Sequence, residues 1–130
     1  MNNLPKPTRP LPDLIESGLQ LKDTSLVGLF ILTRNLVLSQ APDCVELVYD
    51  THALTSVFLH SSKLSDAFCH IPIYSKHLNL GFNKGTVLTD PEQRLKGTGK
   101  LIRHIPVSSI ENIDNQYVKG LLQQAIQLQN

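Results

Sequence analysis

The chain has 130 residues and a mass of 14.5 kDa, the usual size of one domain, and its 41% hydrophobic content is enough to bury a single core. A formal charge of +1, from 12 Lys and Arg against 11 Asp and Glu, excludes the basic excess that drives nonspecific binding to nucleic acid or anionic lipid, so any ionic partner must be met locally. Two cysteines, Cys44 and Cys69, are too few for a disulfide scaffold, and a cytoplasmic, reducing location is expected.

Residues 1–22 read as a proline-rich N-terminal arm, with Pro5, Pro7, Pro10 and Pro12 where a secretion signal would carry an apolar run, and residues 23–130 as one domain. Leu26 to Leu38 holds nine large apolar residues in thirteen positions. Arg34 and Asn35 interrupt that run, which falls short of the roughly 20 apolar residues of a membrane span, so it reads as a buried helix. Asp23, Thr24 and Ser25 offer N-cap side chains and Ala41-Pro42-Asp43 stops the helix, predicting it over 25–39.

From Cys44 the period changes to two. Val45, Leu47 and Tyr49 alternate with Glu46, Val48 and Asp50, as in a strand over 44–50 with one buried face. Thr55–His60 and Ala67–Tyr74 repeat the strand composition around a serine-rich turn, and Leu78, Leu80 and Phe82 alternate with His77, Asn79 and Gly81. Asn83-Lys84-Gly85 suits a three-residue hairpin loop, with Thr86–Leu88 returning as a strand. Asp90-Pro91-Glu92-Gln93 predicts a one-turn capped helix ended by Gly97, and Leu101–Val107 a last strand. Val118, Leu121, Leu122, Ala125 and Ile126 form an apolar helical stripe opposite Gln123, Gln124 and Gln127. The expected fold is α+β: five or six mostly antiparallel strands with helices packed on one face.

Charge is concentrated in residues 84–104, where Lys84, Arg94, Lys96, Lys100 and Arg103 against Asp90 and Glu92 leave a balance of +3. Within it, Gly97-Thr98-Gly99-Lys100 can form an anion-binding nest of backbone N–H groups; a glycine-terminated turn leading into a strand accounts for the same residues without a ligand. The lysine is not followed by Ser or Thr and a helix, so a nucleotide P-loop is excluded. Arg103, on the strand face of Leu101 and Ile105, must be paired or line a cleft, with Asp90 as the expected partner. His60, His70 and His77 could adjoin on neighbouring strands as metal ligands, but none shares ligand spacing within an element. Asp43, Glu46, Asp50 and Asp66 could attract a hard cation or simply be solvated. A protein without Trp is poorly supplied with base-stacking groups, and no nucleophile–base pair is visible.

The stretches His77-Leu78-Asn79-Leu80-Gly81-Phe82-Asn83-Lys84-Gly85, Leu88-Thr89-Asp90-Pro91, Leu95-Lys96-Gly97-Thr98-Gly99-Lys100 and Arg103-His104, together with Glu46-Leu47-Val48-Tyr49-Asp50, resemble the YdhG-like domain-of-unknown-function family over roughly residues 34–127. The resemblance implies a frataxin-like α+β fold and no established enzymatic activity; some relatives are regarded as iron chaperones. This chain departs from frataxin in lacking carboxylates on its first long helix, Leu26 to Leu38. The expected function is a non-enzymatic binding domain in which Lys84, Gly97, Thr98, Gly99, Lys100, Arg103 and His104 gather around a small anionic ligand or a protein partner. No cofactor, nucleic acid or membrane is expected; iron binding by the carboxylates is the alternative. An exposed edge at the first or last strand would pair two chains as a symmetric dimer.

Overall fold

A computed structural model describes residues 4–128. The first three residues of the expected arm and the last two of the expected domain lie outside them. Two helices, α1 (Asp13–Leu19) and α2 (Thr24–Gln40), precede five strands: β1 (Val45–Asp50), β2 (Leu54–Leu59), β3 (Cys69–Ile73), β4 (Leu78–Phe82) and β5 (Arg103–Val107). Helix α3 (Gln116–Gln127) closes the chain, and short 3-10 turns occupy Leu64–Asp66, Gly85–Val87 and Ile110–Asn112. The strands form one antiparallel meander in the order β1-β2-β3-β4-β5.

All three helices lie against one face of this sheet. Strand residues of a single parity (Leu54 and Phe58 on β2, Cys69, Ile71 and Ile73 on β3, Leu78, Leu80 and Phe82 on β4, Ile105 and Val107 on β5) join Phe30, Val37, Val118, Leu121 and Leu122 in one buried cluster. The α3 stripe is therefore buried as its spacing predicts, with Gln123 and Gln127 exposed. Among the described residues no helix is long and apolar enough to cross a membrane. Helix α2 is apolar on more than one side because it is covered on more than one side: the sheet and α3 take one flank, and the N-terminal segment another.

That segment is only partly the extended arm the prolines suggest. Residues 4–12 form neither helix nor strand, yet Thr8 and Lys6 exchange hydrogen bonds with the Asn35 amide, and residues 13–19 are helical, with Ile15 and Leu19 in the core. The i, i+4 spacing of Ile15 and Leu19 was the local signal for α1.

The buried face of β1 is the reverse of its hydropathy. Val45, Leu47 and Tyr49 are 45%, 36% and 40% exposed, while Glu46 and Val48 turn toward the helices. The cause is Arg34, fully buried on α2, whose guanidinium grips the Glu46 carboxylate with Nη2–Oε1 at 2.8 Å and Nε at 3.0 and 3.1 Å. The same guanidinium donates to the carbonyls of Arg9 and Pro10, fastening the arm. A buried charge must be paired, and that requirement outweighs three modest apolar transfers.

Two further expectations fail between β4 and β5. Residues 86–88 make no strand: Gly85 sits so close to β5 that a Cβ would lie 2.4 Å from that of Arg103, and the chain turns through a 3-10 turn instead. Residues 90–97 make no helix. The Asp90 carboxylate accepts from the N–H groups of Arg94 and Leu95, both at 3.0 Å, Gln93 is left-handed at φ 53°, and Gly97 lies at φ 129°.

Candidate functional site

The basic segment is folded back on itself by cross-bracing. Thr86 donates its N–H to Leu101 O and its hydroxyl to Lys100 O, both at 3.0 Å, tying the 3-10 turn after β4 to the loop before β5. Arg103 Nη1 donates to Gly99 O at 2.7 Å and Ile102 O at 2.8 Å, so the guanidinium holds the loop's own carbonyls. These bonds bring Lys84 and Lys100, sixteen positions apart, to one cleft of about 460 Å³. Its walls are apolar: Leu64, Leu101 and Ile102 are each about half exposed there, with Asn83, Ser65 and, as expected, Gly99 completing the lining. Neither lysine is in an ion pair among the described residues. The arrangement is a hydrophobic depression with two unneutralised ammonium groups, suited to an anion that carries an apolar body.

The other expected site residues are placed elsewhere. Gly97 and Thr98 are exposed on the approach to the loop and do not line the cleft. Arg103 shapes it from behind. His104, one residue on, points to the opposite, helix-free face of the sheet, where its backbone pairs reciprocally with Lys96. Arg103 does not pair with Asp90 as expected. Asp90 instead serves the 89–97 segment and α3: the Tyr117 hydroxyl donates to it, Tyr117 accepts the Glu92 N–H at 2.9 Å, and Arg94 stacks over the Tyr117 ring at 4.6 Å while pairing with Glu92. Burial alone would raise the Asp90 carboxyl, but the Tyr117 hydroxyl and the Leu95 and Arg94 amides outweigh it and hold it below the usual value. Gln124 completes the anchor, bonding both N–H and C=O of Thr89 through its amide.

The helix-free face carries His70, Gly81 and His104 in register across β3, β4 and β5. The His70 ring lies over Gly81, where a Cβ would come within 2.3 Å of Nε2. Its Nδ1 is in hydrogen-bond contact with the Asn83 side-chain amide at 2.8 Å. Burial holds both His70 and His104 below the usual imidazole value, with His104 adding to the effect on His70 and His77 to that on His104; the Asn83 bond pulls His70 the other way without offsetting it.

Among the described residues no three His, Cys, Asp or Glu side chains gather as a metal site. His60 stacks on Phe68 and His77 on Tyr74, Glu46 is committed to Arg34, and Asp66 accepts from Ser61. Both cysteines are buried, which raises both thiols and leaves them poor nucleophiles. Leu64, Leu101, Ile102 and Tyr117 were not expected at the site from the sequence. The signal for two of them was the apolar pair Leu101-Ile102, of which the strand expected over 101–107 could bury only one; the strand begins at Arg103 instead and leaves both in the loop. Comparison with protein-family models, curated proteins and solved structures returned no match.

Proposed function

We propose that this chain is a binding domain for a small organic anion, held with its charged group between Lys84 and Lys100 and its apolar part against Leu64, Leu101 and Ile102. The observation that carries the reading is the convergence of two ammonium groups, with no ion-pair partner among the described residues, on an apolar cleft whose loop is braced from behind by Arg103 and Thr86. We assign the fold, in the same spirit, to the YdhG-like, frataxin-related type; the helix, antiparallel meander and helix in that chain order, with the helices on one sheet face, support it. Iron binding draws no comparable support, because the carboxylate at its centre, Glu46, already neutralises Arg34.

A thermal-shift series of carboxylates of rising chain length, with inorganic phosphate and nucleotides beside them, tests the binding reading. Stabilisation grows with the apolar chain and disappears in Lys84→Ala and Lys100→Ala, both exposed positions whose loss leaves the fold intact. No shift with any anion, or a shift unchanged in both variants, overturns it.

A further inference from the structure

We propose that two copies of this chain pair through β1, joining their sheets into one across a twofold axis at Leu47. Hydrogen-bond alternation across the sheet fixes which backbone groups of β1 face outward. The Phe58 carbonyl is taken from the β3 side by the Phe68 N–H at 3.0 Å, so even-numbered residues of β2 face β3 and odd-numbered ones face β1. In the register Val45↔Leu59, Leu47↔Val57, Tyr49↔Thr55, the odd residues of β1 therefore bond to β2. The N–H and C=O groups of Glu46, Val48 and Asp50 are directed out of the sheet, and no group among the described residues bonds to them.

The opposite edge shows what closure looks like. On β5 the outward residues are His104 and Pro106; His104 is occupied at both N–H and C=O by Lys96, and Pro106 has no N–H to offer. β1 has neither device, and it also lacks the charges that usually keep an edge single: Glu46 is neutralised by Arg34, leaving only Asp50, at the strand end.

Free backbone groups call for a strand, and β1 complements itself. With the twofold at Leu47, Val45 lies opposite Tyr49 of the second copy and Leu47 opposite its own mate, so the three exposed apolar side chains cover one another on the helix-free face. On the other face Glu46 meets Val48, and Asp50 lies opposite Cys44, whose carbonyl already holds Arg9 and whose N–H bonds Ala41; the ladder is therefore the two Glu46–Val48 pairs, and no like charges oppose. The contact is smaller than a standard interface of about 1,600 Å², which places the pair among weak associations that depend on concentration.

Sedimentation equilibrium of the chain from about 1 µM to about 300 µM reads the mass directly. The expected result is a monomer doubling in mass within that range, with dissociation at least tenfold weaker in Leu47→Lys and in Tyr49→Lys, two exposed positions whose variants keep the wild-type circular dichroism. Leu47→Cys places two thiols in a non-hydrogen-bonded antiparallel pair, where a disulfide fits, so mild oxidation links it far faster than the control Leu64→Cys; the native cysteines are buried. A chain monomeric throughout, a dimer indifferent to both lysine variants, or equal linking of the two cysteine variants overturns the proposal.

Discussion

Removing the Arg34 guanidinium is the most direct test of how the N-terminal segment, α2 and β1 are joined. In Arg34→Met the side chain keeps its apolar length, but the Glu46 carboxylate, 5% exposed, loses its counter-charge and the carbonyls of Arg9 and Pro10 lose a donor each. Breaking one side of a buried pair costs about 3–5 kcal/mol. A ceiling follows from the carboxyl's escape route: an ordinary carboxylate takes up a proton at pH 7 for about 4 kcal/mol, and the two unfulfilled carbonyls add about 1 kcal/mol each. Against a total stability of about 5–15 kcal/mol, such a loss lowers the melting temperature by about 10–20 °C. Urea unfolding followed by far-ultraviolet circular dichroism measures it. The double variant Arg34→Met/Glu46→Leu, in which no charge is buried, recovers at least about 2 kcal/mol of the single variant's loss. A loss under about 1 kcal/mol in Arg34→Met, or single-variant losses that simply add in the double, refutes the claim that this pair dictates the facing of β1.

Gly81→Ala drives a methyl into the His70 ring, 2.3 Å from Nε2, and costs about 1–3 kcal/mol; in a His70→Ala background the same change is neutral or stabilising, and an unaltered cost there refutes the contact. The two half-buried imidazoles, His70 and His104, make stability pH-dependent with a definite sign. Their folded values lie below the usual 6.5, so the unfolded chain binds protons first as pH falls; stability is full above that value and declines as pH drops below it. Unfolding free energies between about pH 7.5 and about pH 5.5 show the decline, shallower in His70→Gln; an unchanged slope in that variant means His70 does not carry it.

The sequence alone determined the elements whose cause is local. The α3 stripe from Val118 to Ile126, the run Leu26–Leu38 with its stop at Pro42, and the alternation of Leu78, Leu80 and Phe82 all became elements close to their expected bounds, because each pattern names its own buried side. Tertiary structure decided whatever depended on a partner far along the chain. Alternation in β1 was legible, but its facing was not, since Arg34, twelve residues earlier, selects the face that holds Glu46. The two lysines were recognisable as an excess of charge; that they share a cleft follows from Gly85 packing on Arg103 and from Thr86 bonding across to residues 100 and 101. Asp90 was legible as a capping residue, and the identity of what it caps was settled by Tyr117 arriving from α3. Short-range periodicity is written in neighbouring residues, whereas the pairing of a buried charge or the closing of a loop is chosen among partners that only the folded chain brings within reach.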